Sequence, residues 1–97
     1  MRFEWDENKN DDNIAKHGLD FEDASEVFDA PMLVALDNRA DYGEDRWIGI
    51  GFLEQRVVVT VYTFRGSQVT RIISMRKALQ HERNQFEEFI RNRLGTD

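Results

Sequence analysis

Apolar and polar residues change rhythm along this chain, and each change marks a change of backbone. Residues 1–5, MRFEW, alternate apolar and polar side chains, the period of a short strand. After Asp6, a good helix cap, residues 7–17 are mostly polar, with acids in the first turn and Lys16 and His17 in the last. Gly18 then stands where a left-handed terminator is expected. Ile14 and Ala15 are the main apolar residues of this helix, so it should be largely exposed. Asp20 caps a second helix, in which Phe21, Ala24, Val27 and Phe28 recur at helical spacing until Pro31 ends it.

From Met32 the period falls to two. MLVAL (32–36) reads as a strand and the polar DNRADYGED (37–45) as a loop. RWIGIGFL (46–53) and VVVTVYTF (57–64) form a hairpin across Glu54-Gln55, and a turn at Gly66-Ser67 leads into VTRIISMR (69–76). ALQHERNQFEEFIRNRL (78–94) is helical, with Leu79, Phe86, Phe89, Ile90 and Leu94 on or near one stripe. The order β-α-α-β-β-β-β-α predicts an α+β fold: an antiparallel sheet with two N-terminal helices and one C-terminal helix. With 97 residues and no repeat or linker, residues 1–97 are expected to form a single domain with one modest core.

Alternation also assigns faces. In the last strand it puts Val69, Arg71, Ile73 and Met75 on one side and Thr70, Ile72, Ser74 and Arg76 on the other. In 46–53, Ile48, Ile50 and Phe52 oppose Trp47, Gly49 and Gly51. The two glycines leave a shallow floor that suits either a ligand backbone or a packed helix.

Charge changes the picture. The net charge is −6, but residues 1–64 carry six Lys and Arg against fifteen Asp and Glu, whereas residues 65–97 carry seven against four. An acidic body with a local basic surface is the expected result. Arg65, Arg71, Arg76 and Lys77 lie on adjacent elements near the hydroxyls of Tyr62 and Ser74. Strand-end arginines often just reach solvent over the sheet. Clustered on an antiparallel platform, however, guanidinium forks and an aromatic ring suit the phosphates and bases of a single RNA strand.

Other features narrow the chemistry. The chain has no Cys, which removes disulfides, thiolate nucleophiles and zinc fingers and points to a reducing cytoplasm. Its N-terminus lacks an apolar signal region, and no apolar run nears the ~20 residues of a membrane span, so no membrane partner is expected. His17 and His81 are the side chains of the type that titrates near neutrality. His17 closes the first helix, where it can cap carbonyls; His81 starts the last helix and should face solvent. No metal-ligand spacing is present, so neither metal nor cofactor is expected. Gly-rich nucleotide loops and the Gly-x-Ser-x-Gly elbow are also missing.

Three stretches carry a resemblance: FEWDENKNDDNIAKHGLDFEDASEVF, GEDRWIGIG, and VYTFRG followed by RIISMRKALQHER. In this order, over nearly the whole chain, they resemble the BrnT family, toxins of type II toxin–antitoxin modules. The resemblance implies a ribonuclease with a small fold similar to the RelE toxins. It also implies a BrnA-type antitoxin partner, usually with a ribbon-helix-helix DNA-binding domain, in a hetero-oligomer that represses its own operon. Lys9, His17, Glu44, Arg46, Tyr62, Arg65, Arg71, Ser74, Arg76, Lys77 and Glu82 fall at motif positions. Met75 stands where a small residue is common, and Phe86 where tyrosine is common.

The expected activity is metal-independent endonucleolytic RNA cleavage that inhibits translation and growth, with the RNA's own 2′-hydroxyl as nucleophile. His17 or Glu44 would be the base, Arg71 and Arg76 would face the developing phosphate charge, and Arg46 would contact phosphate or pair with Glu44. Lys9, Tyr62, Arg65, Ser74 and Lys77 would bind RNA. The alternative is a weak or inactive homologue serving as an antitoxin-binding co-repressor or an RNA-binding module.

Overall fold

The structure, a computed structural model, describes residues 1–95. Its elements are β1 (Arg2–Glu4), α1 (Glu7–His17), a 3₁₀ turn (Phe21–Asp23), α2 (Ala24–Phe28), β2 (Leu33–Asp37), β3 (Arg46–Leu53), β4 (Arg56–Arg65), β5 (Val69–Lys77) and α3 (Gln80–Arg93). They form one five-stranded sheet in the order β1-β5-β4-β3-β2. The meander β2 to β5 is antiparallel, as expected, whereas β1 joins β5 in parallel, with Arg2 opposite Val69 and Glu4 opposite Arg71.

Because β1 and β2 are the two edge strands, the chain between them has to cross the full width of the sheet. Helix α1, the 3₁₀ turn and α2 make that crossing and decide what the glycines of β3 are for. A Cβ on Gly51 would lie 3.0 Å from Val27 Cγ1 and 3.1 Å from Met32 Cγ, so the shallow floor is filled by the α2 segment. Leu19, Phe21, Ala24 and Val27 pack there against Leu53, Val58, Tyr62, Ile72 and Met75. On the opposite face α3 seals a smaller cluster of Ile50, Val59, Ala78 and Phe86. Phe86 is fully buried with its ring edge-on to Phe52, and burial of such a side chain contributes roughly 1.5–3 kcal/mol.

Helix α1 has no apolar stripe to bury, and it docks by hydrogen bonds instead. Asp6 caps it, its carboxylate accepting the Asn8 and Lys9 amides, and Gly18 ends it at a left-handed φ of 69°. The buried Asn10 accepts the Phe21 amide at 2.9 Å and donates to Asp20 at 3.0 Å. Asn13, also buried, donates to the Leu19 carbonyl at 2.8 Å and accepts the Met75 amide at 3.2 Å. That last bond matters because β1 stops opposite Arg71, leaving the outer edge of β5 without a strand partner from Ile72 onward. The helix covers that edge.

The strict alternation expected for β5 does not hold. Val61 is opposite Ser74 but Tyr62 is opposite Ile72, so Ile73 is the extra residue of a bulge. The bulge turns Thr70, Ile72 and Met75 to the α1–α2 side and sets Arg71, Ser74 and Arg76 together on the other face.

Asn13→Ala is expected to leave a strand amide and a carbonyl without partners, destabilising the protein by about 1–3 kcal/mol in urea unfolding. A wild-type midpoint would show that α1 docks by other means.

Candidate functional site

Two adjoining regions collect the expected residues. The first is a groove along the outer edge of β5, where α1 lies. Lys16, His17, Arg76, Lys77 and Leu79 line a cavity of about 550 Å³, and Lys9, Asp12, Asn13, Lys16, His17, Ile73 and Ser74 line a second of about 290 Å³. Lys16 and His17 belong to both, so the two are one continuous depression. Helix α1 supplies its cations from one side, and the bulge presents Ser74 and Arg76 from the other. Among the described residues, none of Lys9, Lys16 and Lys77 has a carboxylate at ion-pair distance. The groove takes Arg76 and Lys77 from the basic segment 65–97 and Lys9, Lys16 and His17 from the acidic one, while Arg65 and Arg71 of the expected cluster lie outside it, paired with Glu44 and Glu4.

The second region is the sheet face on the α3 side, where nearly every arginine is held by an acid. Arg71 Nη1 meets Glu4 Oε2 at 2.8 Å, across the parallel β1–β5 pair. Arg76 makes a two-pronged pair with Glu82, both bonds 2.7 Å. Glu82 also accepts the Leu79 amide at 2.8 Å, so one carboxylate caps α3 and fixes the arginine. The Arg76 guanidinium holds the Glu82 carboxyl below its usual range, and Glu82 in turn raises Arg76. Glu44 lies 3.4 Å from Arg46 Nε and 3.7 Å from Arg65 Nη2, and Arg46 sits 4.1 Å above the centre of the Tyr42 ring.

Tyr62 does not join either region. Only 3% exposed, its ring packs edge-on against Phe28, and burial raises the pKa of its phenol. The expectation that it contacts RNA gives way to a core role: it stands in the row that faces α2, where strand alternation and the glycine floor place it. His81 is exposed, as expected. Among the described residues no three His, Cys, Asp or Glu side chains are arranged to hold a metal ion, and no helix is long and apolar enough to cross a membrane.

Sequence reasoning missed Lys16, Glu4 and the Asp37–Arg39 pair. Lys16 was read only as a helix-end charge, and Glu4 becomes a partner only through the parallel strand pairing. The Asp37 side chain has no exposed surface, and both its oxygens meet Arg39 at 2.8 Å. The Arg39 hydrogen bond is the main reason its pKa falls from 3.8 to about 2.

With this geometry in place, the comparisons with known proteins converge on ribonuclease toxins of type II toxin–antitoxin systems. Residues 5–82 match the family described as "Ribonuclease toxin, BrnT, of type II toxin-antitoxin system". The fold is similar to the 1.1 Å crystal structure of the Brucella abortus ribonuclease toxin BrnT, at 35% identity and a TM-score of 0.63, over 82% of this chain and 99% of that one. No curated protein sequence matches. The chain belongs to the BrnT family. Membership implies an RNA substrate and an antitoxin partner.

A lowered carboxyl pKa contributes stability that is present above the unfolded value and lost as pH falls through the folded one. Stability should therefore drop as pH falls from 3.8 toward about 2, in part through Asp37. Asp37→Asn is expected to be less stable than wild type at neutral pH, with the gap closing toward pH 2 in denaturant titrations. A gap independent of pH would remove Asp37 from this account.

Proposed function

We propose that residues 1–97 act as a single toxin domain that cuts RNA internally without a metal ion, through attack of the RNA's own 2′-hydroxyl. The observation that carries this reading is that His17 and Arg76 line one cavity together with Lys16 and Lys77. A base, a rigidly held guanidinium and two ammonium groups are the parts that such a reaction needs.

His17 takes the 2′-hydroxyl proton as the 2′-oxygen bonds to the adjacent phosphorus. The bond from phosphorus to the 5′-oxygen breaks, and that oxygen receives a proton from Lys16 or Lys77. The products are a 2′,3′-cyclic phosphate and a 5′-hydroxyl end. Arg76 and Arg71 face the charge that builds on the phosphorus-bound oxygens, where preorganised donors act most strongly. Their carboxylate partners hold the guanidinium planes in place before RNA arrives. Lys9, Lys77, Arg65 and Ser74 position the strand on either side. We assign Glu44 to holding Arg46 and Arg65 rather than to proton transfer, because both arginines lie against its oxygens.

The partner in this reading is a BrnA-type, ribbon-helix-helix antitoxin that forms a hetero-oligomer with the toxin in the cytoplasm; the free toxin inhibits translation and growth. One observation favours a second reading, a weak toxin acting mainly as a co-repressor. Arg39, Arg46, Arg71 and Arg76 each already have an internal carboxylate that phosphate has to compete with.

The antitoxin-free protein, incubated with RNA in EDTA, is expected to generate new 5′-hydroxyl ends. His17→Ala should slow that cleavage by about 10²- to 10⁴-fold, the usual contribution of a general base. Cleavage that survives both His17→Ala and the Arg71→Ala/Arg76→Ala pair would refute the assignment. Intact RNA with the wild-type protein would leave the co-repressor reading.

A further inference from the structure

Asp37 and Arg39 form an asymmetric pair. The carboxylate has no exposed surface, while the Arg39 side chain is 62% exposed. Burying an unpaired carboxylate is costly, and here Arg39 satisfies both of its oxygens while its backbone amide adds a bond of 3.2 Å. The result is an arginine on the surface whose fork is fixed from below. Guanidinium has five N–H donors, and Asp37 engages only Nε and Nη2, leaving the remaining donors for a ligand.

Strand register fixes where this fork sits. Asp37 is opposite Arg46, on the face that also carries Leu33 and Ile50 and, through β4, Arg76. Arg76 lies on the same face, and each of the two guanidinium groups is clasped at two points by its own carboxylate. A polyanion laid along that face meets two forks that are already fixed. Beside them the Arg46–Tyr42 stack offers a flat surface on which a base can lie.

We propose that Arg39, presented by the buried Asp37, is a phosphate-binding residue that carries RNA from the β5 edge groove across Arg76 onto the open sheet face. The inference rests on the ribonuclease reading and extends its substrate path beyond the cleavage site. Asp37 is a positioning residue that acts through Arg39.

The test is binding of the full chain to a 2′-O-methyl oligoribonucleotide, which lacks the attacking hydroxyl, over a series of salt concentrations. Arg39→Ala is expected to weaken binding about tenfold, a typical loss for one charge-assisted contact. It should also make the dependence of log K on log salt shallower by about 0.7, the release from one single-strand phosphate. Asp37→Asn should weaken binding in the same direction and add nothing to Arg39→Ala, a result that a general structural defect would not give. Because Arg39→Ala leaves a buried carboxylate unpaired, the double variant Asp37→Asn/Arg39→Ala carries the measurement if the single one unfolds. Wild-type affinity and salt slope in that double variant, with Lys16→Ala impaired, would remove Arg39 and leave the RNA reading standing. If the wild-type protein ignored the oligonucleotide and left its unmethylated form intact, both readings would fall.

Discussion

The arrangement depends on how β5 completes its backbone hydrogen bonding where β1 runs out. A strand edge without a partner presents unpaired amides and carbonyls, which have to be covered or left to water. Here the cover is a polar helix, and the Asn13 amide takes the place of a strand at Met75. An apolar helix would have packed on the face of the sheet. A helix docked by asparagines lies along its edge, and so the last turn of α1 ends beside the end of β5. That juxtaposition creates the groove in which Lys16 and His17 meet Arg76 and Lys77.

The charge distribution follows a similar economy. The protein is acidic overall, and a long-range field cannot be what draws RNA to it. Arg39, Arg46, Arg65, Arg71 and Arg76 are held by Asp37, Glu44, Glu4 and Glu82, whereas the lysines of the groove have no carboxylate at ion-pair distance among the described residues. The two cation types fit this division. Guanidinium gains from a fixed plane, while an ammonium group keeps its donors free to rotate toward a flexible ligand. The rigid and the mobile cations meet at Arg76, which belongs to both the groove and the sheet face.

Much of the fold was legible in the chain, because its local signals agree with one another. Asp6, Gly18, Pro31 and the period-two runs placed every helix and strand near its observed bounds, and the order of elements held. The choice between ligand and helix over Gly49 and Gly51 needed the topology, since only the edge positions of β1 and β2 send a helix across that face. The bulge at Ile73 escaped because a strand of ordinary composition gives no sign of one extra residue, and missing it divided Arg71 from Arg76. The groove residues Lys9, His17, Ser74, Arg76 and Lys77 were named from the sequence, and the structure brings them together. Tyr62 was misjudged because a hydroxyl near arginines in the sequence says nothing about the face its ring occupies. Asp37 looked like a loop acid, and burial at the end of β2 is a tertiary fact.

Glu82 draws a line through the chain. The family match ends at this residue, and its carboxylate is the last that both shapes the backbone and touches the arginine cluster. Past it, Phe86 is buried with Phe89 and Ile90 over the sheet, so the apolar anchor of α3 stands about one turn from the carboxylate that holds Arg76. The helix thereby ties a hydrophobic seat to a charged clasp: a change that lifts Phe86 from the sheet also shifts the Glu82 grip on the arginine.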